Sequence, residues 1–209
     1  MMILYEDAAL VVCVKPRGVL AAADASGKRN MADLLAPRRV FPVHRLDADT
    51  LGVMVFAKTQ QAAAALSKAM QDGSCKKEYL ALCDCAPAPP SAVLEDLLFY
   101  DRTRNKTYVV NRDRRGVKTA KLSYRTLCTL PDGGAWLHIR LYTGRTQQIR
   151  AQLAQRKCPL RGDRKYGAKT AGALQLYAWR LTLPGGKSHT LPREYLPPDF
   201  ACKIGDSAL

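Results

Sequence analysis

Two β-rich stretches, residues 119–130 and 135–143, are joined by Pro131-Asp132-Gly133-Gly134. Aspartate and glycine supply the backbone geometry of a tight hairpin turn, so this part of the chain is committed to antiparallel pairing. The same pattern recurs elsewhere. "ILYEDAALVVCVKPRGVL" (residues 3–20) alternates short β-rich runs with a turn at Glu6-Asp7 and a break at Pro16–Gly18. "LGVMVFAKT" (51–59), "CKKEYLALCDC" (75–85) and "LQLYAWRLTL" (174–183) read as further strands, and "DRTRNKTYVVNRDRRGVK" (101–118) as an exposed hairpin or arm. Helical patterning is sparser. Asn30 is placed to cap a short helix through Leu35 that Pro37 ends, and "TQQAAAALSKAMQDG" (59–73) runs from a Thr59 cap to Gly73. "TGRTQQIRAQLAQRK" (143–157) predicts a helix capped by Thr146, with Ile149 and Leu153 on one face. Strands outnumber helices and hairpin turns recur, so the class is α+β with a mostly antiparallel or mixed sheet.

At 209 residues, 47% of them hydrophobic, the chain suits a single domain, 1–209, with a possible subdomain break at the proline-rich stretch 86–92. Its apolar runs are too short to span a bilayer, and no basic leader precedes the acidic pair in "MMILYED". Seven cysteines are scattered without a CxxC. The close pair Cys83 and Cys85 lacks a second pair or a nearby histidine to complete a zinc site, so reduced thiols and a cytoplasmic location are expected. The charge is more telling. Residues 1–100 carry 11 basic and 11 acidic side chains, whereas residues 101–170 carry 18 basic and 4 acidic, which is nearly the whole excess of +15. A solvated face has no need of such segregation, but a polyanion-binding surface does, because each cation that neutralises a phosphate releases counterions. Nucleic acid is the expected partner. A membrane surface is not, since no lysine-rich amphipathic helix with aromatic anchors is visible.

"HRLDADTLG" (44–52) places His, Arg and two carboxylates just ahead of a strand. It reads equally as a solvated turn or as an active-site loop carried on a sheet. The stretch alone leaves both open.

Taken together these segments resemble the RluA/RsuA group of RNA pseudouridine synthases. "HRLDADTLGVMVFAKT" resembles the family's His-Arg-Leu-Asp-x-x-Thr-Ser-Gly followed by a strand ending Ala-Lys. "VKPRG" resembles its Lys-Pro-x-Gly turn and "KKEYLAL" its Lys-x-Tyr motif. "TGRTQQIRAQL" with "CPLRGDRKYG", and then "LQLYAWRLTL", resemble its later motifs, in the family's order. Leu51, Gln147 and Tyr177 depart from it, standing where Ser, His and His are usual. The resemblance implies a pseudouridine synthase fold: a central sheet flanked by helices and loops, with a catalytic cleft across the sheet. It implies a chain that opens at the catalytic domain without an S4-like RNA-binding module. It also implies a monomeric isomerase of a uridine in rRNA or tRNA that uses no cofactor and no metal, in keeping with the absence of a Walker loop or dinucleotide motif from the sequence.

The resemblance also assigns residues. Asp47 is the catalytic carboxylate facing an oxocarbenium-like C1′, as nucleophile, electrostatic partner or base. Arg145 lies beside it and keeps it ionised, and Tyr79 stacks on the uracil or takes the C5 proton. Arg45 fills the gap left by a flipped nucleotide, and Leu176 packs against the base. His44 fixes the loop. From the charge distribution, Arg102, Arg104, Lys106, Arg112, Arg114, Arg115 and Arg150 are expected to touch RNA. A non-catalytic RNA-binding or chaperone protein on the same fold is the alternative, and the joint presence of Asp47, Tyr79 and Arg145 speaks against it. A hydrolase would require a second placed acid, and Asp49 is the nearest candidate.

Overall fold

A computed structural model describes residues 1–198 and 200. The chain divides into two compact units, residues 1–77 with 177–192, and residues 78–176 with the segment from 193 onward.

In the first unit, β1 (Ile3–Glu6) pairs antiparallel with β2 (Leu10–Lys15), and β2 pairs antiparallel with β4 (Leu51–Ala57). The other edge of β4 takes β3 (Phe41–Pro42) near its end and, in parallel, β10 (Leu176–Thr182) at its start, with β11 (Ser188–Thr190) beyond. Nearly every residue of β2 and β4 is buried, which accounts for their continuous rather than alternating apolar sequence. Both helices form as their ends dictate. In α1 (Met31–Leu35) the Asn30 side chain accepts from the amides of Ala32 and Asp33, and the Asp33 carboxylate accepts from the Asn30 amide. In α2 (Gln60–Asp72) the Thr59 hydroxyl accepts from the Ala62 amide, and Gly73 closes the helix at φ 83°.

One glycine fixes how the loop before β4 enters the sheet. Gly52 has φ +147° and faces Ala178 across the parallel pairing, where a Cβ would land on the Ala178 carbonyl and Cβ. Gly52→Ala must therefore push β4 off β10. It is expected to destabilise the protein by about 3 kcal/mol, read as a lowered Tm in calorimetry.

In the second unit the strand order is β5 (Lys76–Cys83), β9 (Ala135–Leu141), β8 (Val117–Thr129), β6 (Ser91–Asp101), β7 (Lys106–Val110). The Pro-Asp-Gly-Gly turn joins β8 to β9 as the sequence predicts: Gly133 has φ 84° and the Asp132 carboxylate accepts from the Gly134 amide at 3.1 Å. The proline-rich stretch 86–92 does not separate the units. It ends β5 and leads into β6, and both strands belong to this one sheet. Helix α3 (Gln148–Gln155) departs from the sequence expectation twice. Its cap is Gln147, at φ 52° and without a side-chain cap bond, rather than Thr146. It is also buried on every side rather than on one apolar face, because its polar residues are satisfied internally. Gln148 Nε2 donates to the Lys121 carbonyl and to Gln152 Oε1, and Gln152 Nε2 donates to the Asp96 carboxylate at 2.7 Å. Among the described residues no helix is long and apolar enough to cross a membrane.

Candidate active site

The loop 44–50 is held by the turn that follows β2. Lys15, the last residue of that strand, is fully buried, and its ammonium donates to the carbonyls of Pro16, Val19 and Ala48, each at 2.8 Å. The Ala48 carbonyl also accepts from the Gly18 amide at 2.9 Å. Arg17 reaches the Asp49 carbonyl at 2.8 Å while its guanidinium lies 4.8 Å over the Tyr177 ring. The Thr50 amide closes the turn on the Asp47 carbonyl at 3.0 Å, and His44 Nε2 accepts from the Val55 amide at 3.1 Å. Burial takes the His44 ring down to about 4, so it stays neutral and keeps that acceptor. Within this frame Leu46 is buried, Asp47 half-buried, and Arg45 and Asp49 exposed. The loop is therefore a shaped element, with an acid at its half-sheltered position and an arginine turned to solvent.

Lys15 has no role in the sequence reading beyond marking a turn. The available signal was a lysine directly after five apolar strand residues, where burial of the chain leaves its ammonium only carbonyls to bond. Burial pulls its pKa down to about 8, while the carboxylates of Asp49 and then Asp47 oppose that shift. Between pH 8 and the ordinary value of 10.5 the unfolded chain holds a proton that the folded chain has lost, so stability contributed by this group rises with pH. The neutral amine has only two N–H donors for three carbonyls. Activity is accordingly expected to fall above about pH 8 while Tm does not. Lys15→Met is expected to lower activity at every pH and to remove that alkaline fall; a pH profile of turnover beside a pH series of melting curves reads both.

The remaining candidates lie in the second unit. Tyr79 is buried on β5, and Leu176 is buried at the start of β10. Arg145 is exposed and donates from Nε to the Thr119 carbonyl at 2.9 Å, while its amide donates to Gln148 Oε1 at 3.0 Å. Gln147, which stands where the resembled family has histidine, is 8% exposed. It accepts from the Tyr166 hydroxyl at 2.7 Å and donates to the Asn105 carbonyl at 3.1 Å. That network ties the turn bearing Arg145 to the hairpin between β6 and β7. Sequence reasoning misses it because the partners lie about 20 and 40 residues away along the chain, beyond the reach of any local pattern.

The basic arm sorts into two groups. Arg102, Arg104, Arg112, Arg114 and Arg115 are exposed, and Arg114 lies 4.8 Å over the Phe99 ring. Lys106 is half-buried, donating to the Lys165 carbonyl at 2.7 Å and lying 5.1 Å over the Tyr166 ring. Arg150 corrects its expected role. It is 6% exposed, and Nε and Nη2 bond the two oxygens of buried Asp163 at 2.7 and 2.8 Å, so its guanidinium binds an internal carboxylate and not phosphate. The motifs "QIR" and "GDRKYG" thus carry the two halves of one ion pair. Among the described residues no group of three His, Cys, Asp or Glu side chains is arranged to hold a metal.

The family model described as RNA pseudouridylate synthase matches residues 9–155, a span that includes the Lys15 turn, the Asp47 loop, Tyr79 and the Arg145 turn. The chain belongs to this family. It is 33% identical to a protein named ribosomal large subunit pseudouridine synthase D of Nitrosomonas europaea, over 97% of this chain and 64% of that one. It is 29% identical to the dual-specificity RNA pseudouridine synthase RluA of Salmonella typhimurium, over 96% of this chain and 94% of that one. The chain spans about half the length of most of the curated relatives it matches. In fold it is similar to human RNA pseudouridylate synthase domain containing 4, with a TM-score of 0.77 at 24% identity, covering 95% of this chain and 89% of that one. The pseudouridine synthase fold expected from the sequence is the one observed.

Proposed function

We propose that the chain isomerises a uridine within structured RNA, rRNA or tRNA, to pseudouridine, working as a cytoplasmic monomer without cofactor or metal. The observation that carries the reading is the half-buried Asp47, on a loop whose shape Lys15, Arg17 and His44 hold through its backbone. A turn with no chemical task has no need of a buried cation beneath it, since burying an ammonium costs several kcal/mol before its bonds are counted. Asp47 meets the positive charge that develops at C1′ when the glycosidic bond breaks. Arg145 supplies the positive charge that works beside that carboxylate, and Tyr79 stacks on the turned uracil or receives the C5 proton. Arg45, exposed beside Asp47, fills the place of the flipped nucleotide, and Leu176 packs on the base.

Exposed Arg102, Arg104, Arg112, Arg114 and Arg115 bind the RNA backbone. Replacing all five by glutamine is expected to weaken RNA binding and to flatten the plot of log affinity against log salt by roughly 0.7–0.9 for each phosphate no longer neutralised. A salt titration checks this, and an unchanged slope moves the RNA surface elsewhere.

The activity is tested by incubating the protein with in vitro transcribed rRNA and tRNA carrying 5-tritiated uridine. Pseudouridine formation replaces the C5 hydrogen, so tritium release into water is expected. RNA bound tightly without release would instead support a binding protein.

A further inference from the structure

Within the second unit, residues 83–85 run antiparallel to residues 157–160. Cys83 bridges Leu160, the Asp84 amide donates to the Pro159 carbonyl at 2.9 Å, and the Arg161 amide donates to the Leu82 carbonyl at 2.8 Å. These bonds flank the Cys83–Leu160 pair, which makes it a narrow, non-hydrogen-bonded pair. The ladder ends there, since the Ala86 amide bonds the Gly133 carbonyl and Pro159 has no amide proton, but two residues further Cys85 and Cys158 still meet. Neighbouring extended segments run about 4.8 Å apart, within the span a disulfide bridges. Hydrogen bonds between the two segments agree with that approach: Cys158 Sγ donates to the Cys85 carbonyl at 2.7 Å, and Cys85 Sγ donates to the Lys157 carbonyl at 3.3 Å. Cys83 is the third member, buried two residues before Cys85.

Solvent reaches these sulfurs unequally. Cys85 is partly exposed, whereas Cys83 and Cys158 are buried. The charge is also unequal. The neighbouring Cys83, and after it Cys85, hold Cys158 down to about 7, while burial pushes Cys85 up to about 11. The cluster therefore offers one sulfur that an oxidant can reach and a second, opposite it, that is readily a thiolate. Nothing in the proposed isomerisation uses either.

We propose that Cys85 and Cys158 form a site of reversible thiol oxidation, which takes a small peroxide as its oxidant and closes to an intrachain disulfide. The Cys158 thiolate takes the Cys85 thiol proton as the Cys85 sulfur attacks the peroxide and the O–O bond breaks; one oxygen stays on Cys85 as a sulfenic acid, and the other leaves as hydroxide (as alkoxide, for an alkyl peroxide), takes that proton back from Cys158 and departs as water or alcohol. The Cys158 thiolate then attacks the Cys85 sulfur, the S–S bond forms, and the departing hydroxide takes up the proton that Cys158 had released. The two cysteines lose two electrons and two protons, and hydrogen peroxide is reduced to two waters. Cys83 is not oxidised: it pairs with Leu160 and is fully buried. The bond ties the end of β5, the strand that carries Tyr79, to the segment following α3.

The test uses the purified full chain, exposed to stoichiometric hydrogen peroxide, blocked with N-ethylmaleimide and digested without reductant for mass spectrometry. A cross-linked peptide pair containing Cys85 and Cys158 is expected, two hydrogens lighter than the free peptides and returned to them by dithiothreitol. It should disappear in Cys85→Ser, a substitution at a partly exposed position, and persist in Cys83→Ser. Full alkylation of all cysteines after peroxide, a cross-link to any other cysteine, or Cys85 sulfinic acid without a cross-link overturns the proposal. The wild-type result decides the matter even if a variant fails to fold.

Discussion

Asp47→Asn is expected to lower the rate of uridine isomerisation on the order of 10³-fold or more, while RNA affinity changes by less than about threefold. The amide is nearly isosteric with the carboxylate. The bonds that shape the loop run through backbone atoms: the Asp47 carbonyl still receives the Thr50 amide, and the Ala48 carbonyl still receives Lys15. The substitution removes the charge and leaves these backbone bonds in place, so the loss is expected on the chemical step. Single-turnover tritium release at saturating protein measures the rate, and filter binding measures the affinity. A variant that keeps a near-normal rate contradicts the assignment. Equal loss of rate and affinity would point to a loop that merely binds RNA.

Arg145→Ala is expected to cost about 10²-fold in the saturating rate with little loss of stability. Arg145 is exposed, and removing its side-chain bond to the Thr119 carbonyl frees an acceptor that water can satisfy. In the proposed mechanism Arg145 supplies the positive charge that Asp47 works beside, so its loss is expected to fall on the chemical step. Arg145→Lys restores the charge but not the planar fork of donors, so it is expected to recover part of the rate. Because the proposed mechanism gives the two residues a single step, Arg145→Ala combined with Asp47→Asn should cost little more than Asp47→Asn alone. Losses that multiply in full, or an Arg145→Ala protein that binds RNA weakly but turns over normally when saturated, make Arg145 a phosphate ligand instead.

The local rules carried far in this chain. Asn30, Thr59, Gly73 and the Pro-Asp-Gly-Gly turn all behave as their backbone chemistry demands, because caps and tight turns are decided within four or five residues. The apolar runs of β2 and β4 likewise read as strands, though that both are buried almost throughout is seen only in the structure. What escaped was polar and distant in sequence. Arg150 and Asp163 are 13 residues apart, so an arginine in a basic stretch read as a phosphate ligand when it was one half of an enclosed ion pair. For the same reason α3 read as amphipathic: a pattern cannot tell a solvated glutamine from one bonded to Asp96, 56 residues earlier. The Asp47 loop was legible as a candidate from its motif. Its support was not, since the Lys15 bond to Ala48 spans 33 residues and leaves no trace in the spacing of either segment.

The most direct test of the account is to map pseudouridine, by carbodiimide-dependent reverse-transcription stops, in rRNA and tRNA transcripts treated with the wild-type protein or with Asp47→Asn. The account predicts a new stop at one or a few specific uridines with the wild type and none with the variant. No stop with the wild type despite RNA binding, or the same stops with both proteins, would contradict it.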